Sequence, residues 1–289
     1  MDTHREKSLH CPLSWVQTKR KRGGFLPPTN DVWVSSSTKG FMKEMTQNVV
    51  NWVKDFFDGL GKTDAVIGIS GGKDSSVVAA ICVAALGKEH VHGILMPCGI
   101  QKDISDSYKL VDHLCIDYDV QDIEALVKES LALVDGADKS YDAKTNVPAR
   151  IRMNQLMVTA QTHGWLMANT CQRNEDVIGY QSIWGDSCGS FSPLGLLTVG
   201  EVIEIGDDLG LPYELTHKTP IDGLQPLTDE EKLGFTYKEL SDLIRNGIRG
   251  EHYDLIMKKF HANKFKLEMI KIQKFDPKLP DYFMDNFNV

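Results

Sequence analysis

Residues 65 to 76 read Ala-Val-Ile-Gly-Ile-Ser-Gly-Gly-Lys-Asp-Ser-Ser, and this stretch decides the fold. Its apolar first half, 65–70, has the length of a buried strand and runs into Gly71 and Gly72. A second apolar run, 77–86, has helical character. A strand, a Gly-Gly turn and a helix together direct several backbone N–H groups and the positive end of a helix at one anion. The stretch therefore predicts an anion-binding loop at the carboxyl end of a strand.

The loop does not fit the Walker A pattern. That pattern needs Gly-Lys followed directly by Ser or Thr, whereas Lys73 is followed by Asp74. A carboxylate beside a phosphate is stable only when it holds a metal ion or a proton, because the two anions repel. Ser-Gly-Gly-x-Asp-Ser in this setting resembles the pyrophosphate loop of the N-type ATP pyrophosphatases, which cleave ATP between its α and β phosphates. The alternative is a Gly-rich turn without a ligand, which the agreement of strand, glycines, acid and helix disfavours.

Composition and charge limit the class of protein. The 289 residues are 42% hydrophobic and 25% charged, as in a soluble globular chain with one large α/β domain or two small ones. Net charge is −8, and because residues 1–40 hold seven Lys/Arg against three Asp/Glu, the remainder carries −12. The acidic charge of residues 41–289 disfavours an extensive nucleic-acid-binding surface.

The cysteines and the apolar runs indicate the compartment. Six cysteines form no CxxC pair and no metal-finger spacing, so we expect reduced thiols. The longest apolar run, of about ten residues, is too short to span a bilayer, and no signal segment opens the chain. We therefore predict a cytoplasmic protein.

The organisation along the chain predicts the fold class. Residues 1–40 are irregular and basic, and we interpret them as a flexible or added extension, with a nucleic-acid or targeting patch as the alternative. From residue 41 a first helix is followed by alternating strands and helices, which indicates a doubly wound parallel sheet with helices on both faces, like that of the adenine nucleotide alpha hydrolases. The part after residue 195 is mostly helical. The predicted elements up to that point are strands at 65–70, 91–96, 117–120 and 165–169 and helices at 75–86, 105–113, 122–134 and 149–163.

Polar residues after these strands are the candidates for chemistry, because ligands of such sheets bind beyond the carboxyl ends of the strands. Thr170 ends a strand, and we expect Glu175, which follows the same strand, to lie close enough to Asp74 to share a metal ion with it. Two carboxylates with phosphate oxygens and water suit octahedral Mg²⁺. Glycines between 179 and 189 are typical of a loop that closes over substrate.

Two arginines follow Pro148, which we place at the start of a helix. Arg150 and Arg152 are two residues apart and project to different helix faces, so at most one is expected to meet a given ligand. Arg150, in the predicted first turn, is the preferred candidate. A helix-surface salt bridge is the alternative for either residue.

Taken in order, these segments resemble NAD synthetase over most of the chain, from about residue 44 to about residue 275. The resemblance is strong as a set, although each motif alone is weak. The motifs are Gly-Ile-Ser-Gly-Gly-Lys-Asp-Ser-Ser (68–76), Pro-Ala-Arg-Ile-Arg-Met (148–153), Asn-Thr (169–170) with Glu175, Gly-Asp (185–186), Phe-Ser-Pro-Leu (191–194), Leu-Thr-Val-Gly-Glu-Val (197–202), Leu-Gly-Leu-Pro (209–212), Lys-Thr-Pro (218–220), Asp-Gly-Leu (222–224), Thr-Asp-Glu-Glu-Lys-Leu-Gly-Phe-Thr-Tyr (228–237) and His-Ala-Asn-Lys-Phe-Lys-Leu (261–267). Residues 41–289 are then expected to form a single domain of this family.

The resemblance implies a reaction and a set of site residues. The nicotinate carboxylate of deamido-NAD attacks the α-phosphorus of ATP, and ammonia then displaces AMP to form the amide of NAD. Mg²⁺ is the implied cofactor. The implied residues are Gly68, Ile69, Ser70, Gly71, Gly72, Lys73, Asp74, Ser75 and Thr170 for ATP; Asp74 and Glu175 for the metal; Lys73, Asp74 and Asp186 for catalysis, with Asp186 as the base for ammonium; and Arg150, Ser190 and Lys266 for deamido-NAD.

The resemblance also implies the partners. Family members are homodimers that bind the dinucleotide across the interface, where Lys266 is expected. Glutamine-using relatives carry a separate glutaminase domain with a nucleophilic cysteine. Because forty irregular residues are too few for such a domain, we expect ammonia as the nitrogen source.

Three positions depart from the family pattern. The family usually has Lys or Arg where Ile183 stands, Asp where Ser190 stands, and often Ser or Thr where Ile221 stands. These changes leave two alternatives open: another adenylating ATP pyrophosphatase with a different acceptor, such as a tRNA thiolase or an amidase like GMP synthetase, or a nucleotide-binding protein with impaired turnover. The charge of −12 on residues 41–289 argues against the tRNA enzyme.

Overall fold

The structure is a computed structural model that describes residues 44–101, 104–218, 228–269 and 273–287. The basic extension at 1–40 and the departure at Ile221 lie outside these residues.

A parallel sheet forms the centre of the molecule. Its four strands are β1 (Ala65–Gly68), β2 (Val91–Leu95), β3 (Asp117–Val120) and β4 (Leu166–Met167), in the order β3-β2-β1-β4. Two short strands, β5 (Phe191–Ser192) and β6 (Gln273–Lys274), pair in parallel, and a parallel bridge joins Ala168 to Phe191 beside β4. The predicted doubly wound parallel sheet is confirmed.

Helices occupy both faces of the sheet and the C-terminal part. They are α1 (Glu44–Leu60), α2 (Lys73–Leu86), α3 (Ile104–Leu114), α4 (Glu124–Ala132), α5 (Tyr141–His163), α6 (Arg173–Ile178), α7 (Val199–Asp208), α8 (Tyr213–Thr216), α9 (Asp229–Leu233), α10 (Tyr237–Asn246), α11 (Tyr253–Met269) and α12 (Tyr282–Phe287).

The alternating directions of the side chains along β1 explain why helices cover both faces of the sheet. Ala65 and Ile67 are fully buried against residues of α1, α2 and α3, whereas the intervening Val66 is buried against residues of α4 and α5. Successive strand side chains point to opposite faces, so an apolar strand must be covered on both sides. A third apolar cluster, formed mainly by α6, α10, α11 and α12, makes up the C-terminal part.

Helix α5 begins eight residues earlier than predicted. Ser140 caps it, with its hydroxyl accepting a hydrogen bond from the Ala143 N–H at 3.2 Å. Pro148 therefore lies inside the helix, so its predicted place at the helix start is wrong. Proline removes one intrahelical hydrogen bond, but the serine cap and the packing of α5 on β1 and α4 set where the helix starts.

The cysteines differ in part from the sequence expectation. Cys82, Cys98, Cys171 and Cys188 are free thiols, whereas Cys115 is disulfide-bonded, so the expectation of reduced thiols is wrong for Cys115. Cysteine spacing along the sequence does not report whether a given thiol is oxidised. In the described ranges, no helix combines the length and the apolar character that crossing a membrane requires.

Candidate active site

The loop between β1 and α2 is held in shape by its own serines. The hydroxyls of Ser70 and Ser75 lie 3.0 Å apart, and the Gly72 N–H donates to the Ser70 hydroxyl at 3.2 Å. The Ser76 hydroxyl donates to the Gly72 carbonyl at 2.7 Å. Helix α2 begins at Lys73, so the loop ends at a helix N-terminus, where the first N–H groups have no intrahelical acceptor. The predicted anion-binding geometry is therefore present.

Gly71 shows why this turn requires glycine. Its φ is +76°, which L side chains rarely adopt, and a Cβ there would lie 2.9 Å from the Ser107 backbone nitrogen and 3.1 Å from the Asp106 Cβ. The first turn of α3 thus packs directly against the loop.

Three charged side chains gather beside the loop. Lys73 is buried, and its ammonium pairs with the Asp74 carboxylate. Glu175, in the first turn of α6, accepts a hydrogen bond from the Gln172 N–H at 3.2 Å. Burial and the negative charge of Asp74 raise the pKa of Glu175 well above its ordinary value, although the Lys73 charge opposes the shift. The two carboxylates predicted to share a metal are therefore brought together.

The pairing of β1 with β4 explains why distant residues meet here. Ala65 is paired with Leu166 and Val66 with Met167, so the loops that follow these strands are neighbours. The strand order reverses between β1 and β4, which is where ligands bind in open α/β sheets. Thr170 follows β4 and is half-buried at this edge.

Asn169 ties the end of β4 to the Gly-rich loop at 179–190. Its side-chain N–H₂ donates to the Asp186 carbonyl at 2.8 Å and to the Cys188 carbonyl at 3.2 Å. Its side-chain oxygen accepts from the Ser192 hydroxyl at 2.9 Å. The same oxygen accepts from the Cys171 N–H at 3.0 Å. Because the buried amide makes four hydrogen bonds, it fixes the loop against the sheet.

Asp186 and Lys266 lie in this loop region. The Asp186 carboxylate accepts from the Ser182 N–H at 2.7 Å and is open to solvent on one side, while the surrounding protein displaces water and raises its pKa. The Lys266 ammonium donates to the carbonyls of Gly179 at 2.6 Å and Gln181 at 2.9 Å. Partial burial lowers the pKa of Lys266, and the Asp186 charge opposes that shift.

The comparisons with known proteins agree on one family. The family model described as NAD synthase matches residues 45–277. The NH(3)-dependent NAD(+) synthetase of Thermococcus sibiricus is 33% identical, covering 78% of this chain and 87% of that protein. The chain belongs to the NAD synthase family. The corresponding Finegoldia magna protein is 31% identical, covering 81% of this chain and 97% of that protein.

Solved structures of similar proteins share this fold. An NMN synthetase from Francisella tularensis has a TM-score of 0.71 at 29% identity, covering 78% of this chain and 94% of that one. An NAD⁺ synthetase from Burkholderia pseudomallei has a TM-score of 0.65 at 22% identity, covering 79% of this chain and 91% of that one, and shows the same fold.

The NAD synthase resemblance assigned Arg150, Ser190 and Lys266 to the dinucleotide, and the structure places all three around the Gly-rich loop. The Arg150 Nε donates to the Ile183 carbonyl at 3.1 Å. The Ser190 hydroxyl accepts from the Met167 N–H at 3.2 Å, so this side chain is bound to β4. The loop is thus fastened to α5, to β4 and, through Lys266, to α11.

Arg152 and Tyr237 reach this region of the NAD synthase fold without having been selected from the sequence. The Arg152 Nε donates to the carbonyl of Met96, just beyond β2, at 3.0 Å. Tyr237 and Lys73 both line a cavity of about 460 Å³. Burial first, and then the negative charge of Glu175, raise the pKa of the Tyr237 phenol, which places it near the acidic pair. For Arg152 the available signal was its spacing of three and four residues from Ala149 and Leu156.

Proposed function

We propose that this chain catalyses the ATP-dependent amidation of deamido-NAD to NAD with ammonia, releasing AMP and pyrophosphate through an adenylated intermediate. The observation that carries the proposal is the glycine loop at the N-terminus of α2 with Asp74 and Glu175 beside it. Curated relatives named NH(3)-dependent NAD(+) synthetase support ammonia as the nitrogen source.

The phosphate end of the site needs little beyond positioning and charge stabilisation. Residues 68–75 and Thr170 would contact ATP, with loop N–H groups and the Lys73 ammonium facing the leaving pyrophosphate. Lys73 is already held in place by burial and by Asp74, so little side-chain freedom is lost when ATP binds.

The donor set at Asp74 and Glu175 fits Mg²⁺. Two neighbouring carboxylates, one with a raised pKa, are a hard oxygen site that gains from a divalent cation. Throughout the chain that the structure describes, no group of three or more His, Cys, Asp or Glu side chains is arranged to hold a metal, so phosphate oxygens and water would complete the shell. When bound, Mg²⁺ would neutralise charge on the triphosphate.

The acceptor end of the site lies along the loop at 179–190. Asp186 would take a proton from ammonium, whose ordinary pKa leaves little free ammonia at neutral pH. Its raised pKa suits this role because a base works best when its pKa lies nearer the working pH. Arg150, Ser190 and Lys266 would contact deamido-NAD around the same loop.

A homodimer is part of the proposal. Large apolar side chains are exposed along α4, the turn after it and α5, and such a surface is typical of an interface. They are Leu126, Leu133, Val134, Tyr141 and Val158. Cytoplasmic localisation stays a prediction from the sequence.

The test is a product balance. The protein is incubated with ATP, Mg²⁺, deamido-NAD and ¹⁵N-ammonium, and NAD, AMP and pyrophosphate are measured together. We expect equal amounts of all three, with ¹⁵N in the NAD amide. Formation of ADP, or of AMP without an amide product, would contradict the proposal.

A second candidate is amidation of the mononucleotide, deamido-NMN, to NMN. Two observations favour it: the family cation and carboxylate are absent at Ile183 and Ser190, and an NMN synthetase is among the structural relatives. Loss of charged groups from the loop weakens recognition of the larger acceptor first, if those groups contact it. Comparing kcat/KM for the two acceptors decides between them, because the preferred acceptor has the larger value.

A further inference from the structure

Helix α5 turns one face toward the acceptor end of the site. The Cβ position of Gly185, in the Gly-rich loop, lies 3.0 Å from the Ala149 Cβ, and that of Gly68, at the end of β1, lies 3.2 Å from Leu156. Ala149, Arg152 and Leu156 are spaced by three and four residues, so they share a helix face. Arg152 therefore lies between the Gly-rich loop and the carboxyl ends of the strands.

The guanidinium of Arg152 is only partly used by the protein. Its Nε donates to the Met96 carbonyl at 3.0 Å, which fixes the plane of the group. Among the described residues its two terminal nitrogens have no hydrogen-bond partner. Such a half-buried and oriented arginine presents two donors in a plane that matches a carboxylate or a phosphate.

The neighbours of the two cations distinguish these two ligands. Glu175 interacts electrostatically with Asp74, Lys73 and Asp186, and Arg152 interacts with Asp186 and Cys98. Lys73 opens α2 at the phosphate loop, whereas Arg152 is bound to the carbonyl that follows β2. The proposed function places the phosphates of ATP at the loop that carries Lys73, so Arg152, beside the proposed base Asp186, is assigned to the acceptor.

We propose that Arg152 binds the carboxylate of the acceptor substrate and orients it for adenylation. This proposal rests on the proposed function, and it replaces the sequence expectation that at most one of Arg150 and Arg152 meets a given ligand, because the two would contact different parts of the same acceptor. A terminal nitrogen holds one carboxylate oxygen while the other forms a bond to the α-phosphorus and the bond to the β-phosphate bridging oxygen breaks, so pyrophosphate leaves with the electron pair. When ammonia then attacks the acyl carbon, the oxygen held by Arg152 gains negative charge, which the cation stabilises. The carbonyl re-forms as AMP leaves with its bridging oxygen, and the attacking nitrogen loses a proton to water.

Deamido-NAD and NAD provide a matched pair of ligands, because they differ only by carboxylate against carboxamide. Dissociation constants of both are measured for the unaltered chain and for Arg152→Gln. We expect the variant to bind deamido-NAD about 10- to 100-fold more weakly, since a hydrogen bond to a charged group contributes about 1.5–3 kcal/mol. Binding of NAD and of ATP should change less than about threefold, because neither contains this carboxylate.

Further variants separate binding from structural support. Arg152→Lys keeps the charge and should recover part of the kcat/KM that Arg152→Gln loses. Arg150→Gln should weaken the binding of deamido-NAD and of NAD equally. Lys144→Gln, at an exposed position of the same helix, is the control and should change the dissociation constant of neither deamido-NAD nor NAD. If the mononucleotide is the acceptor, the same comparison uses deamido-NMN and NMN.

The outcomes are distinguishable. If Arg152→Gln weakens the binding of deamido-NAD and of NAD equally, the residue contacts a phosphate group or supports the fold, and the proposal is overturned. Unchanged binding of both would overturn it as well. Failure of the unaltered chain to form NAD or NMN would refute the proposed function itself, before any variant is compared.

Discussion

At the scale of single residues, the phosphate loop depends on a backbone position, Gly71, that has no room for a side chain. Gly71 combines a positive φ with a Cβ position that contacts backbone and side-chain atoms of α3. Gly61 also has a positive φ, of +61°, but a Cβ there would have no neighbour within 4 Å. Comparing substitutions at the two glycines therefore separates the free-energy cost of the left-handed backbone from that of the steric contact.

We expect Gly71→Ala to lower the free energy of unfolding more than Gly61→Ala. The left-handed conformation costs about 1–2 kcal/mol in either variant, and the clash with Ser107 adds about 1–3 kcal/mol at position 71. Urea unfolding of both variants measures the difference. Equal losses would mean that α3 moves freely away from the loop.

Removing one carboxylate from the acidic pair tests its proposed role with Mg²⁺. We expect Glu175→Gln to lower the rate at least about 100-fold, because stabilisation of phosphate charge by a metal is worth several kcal/mol. The Mg²⁺ concentration for half-maximal rate should rise as well. Rates are compared with those of Glu129→Gln, an exposed control on α4; equal rates for the two variants would remove Glu175 from the metal site.

At the scale of elements, the C-terminal segment fastens the short helix that carries Glu175. Arg173, in α6, makes two hydrogen bonds to Asp281 at 2.5 and 3.0 Å, and both side chains are buried. Asp176 in the same helix pairs with Lys274 of β6. Helix α6 has only six residues and could not be stable alone, so these contacts set its position.

We expect Asp281→Asn to cost about 3–5 kcal/mol at neutral pH, because Arg173 would remain buried without a counter-charge. Burial alone would raise the pKa of Asp281, but the hydrogen bonds and charge of Arg173 outweigh it and lower the pKa. The stabilisation is therefore present above the unfolded pKa of about 3.9 and is lost as the pH falls through the lower folded value.

Urea unfolding across the acid range measures this loss, and the gap between Asp281→Asn and the unaltered chain should narrow as the pH falls. Lys278→Ala, which removes an exposed ion pair to Asp276 in the same segment, is the control and should cost less than about 1 kcal/mol. An equal cost for the two variants would contradict the role of the buried pair.

The Gly-rich loop is the element where acceptor choice is expected to be set. If deamido-NAD is the acceptor, Ile183→Lys should raise its kcat/KM about tenfold, since a charge-assisted hydrogen bond is worth about 1.5 kcal/mol or more. Ile183→Gln is the uncharged control. An increase in kcat/KM that is seen only with deamido-NMN would instead support the mononucleotide as the acceptor.

At the scale of the whole molecule, the exposed apolar surface of α4 and α5 predicts assembly. The chain has a mass of 32.3 kDa, so light scattering should report twice this value for the homodimer. Val158→Glu should shift the mass toward the monomer, because it places a charge in the apolar surface. Ile248→Glu, equally exposed but after α10, is the control, and a dimer that survives Val158→Glu would place the interface elsewhere.

Elements with a clear local pattern were predictable, and some of the shortest strands were not. The run at 65–76 predicted β1, its glycine turn and α2 because apolar periodicity, glycines and a helix start all agree there. Strands β5 and β6 have two residues each, too few for a periodic pattern. The start of α5 was missed because Pro148 is a strong local signal, whereas the Ser140 cap that sets the start is a weaker one.

Local sequence determined the phosphate loop, because a Gly-Gly turn between a buried strand and a helix acts through backbone geometry that neighbouring residues fix. Their position after the strand predicted at 165–169 singled out Thr170 and Glu175, the resemblance added Asp186, and the fold brought the three to one edge. Only the tertiary structure decided that Arg152 faces the same site, since its position depends on how α5 crosses the ends of β1 and β2. The buried pairing of Arg173 with Asp281 likewise joins residues 108 positions apart, which no local pattern encodes.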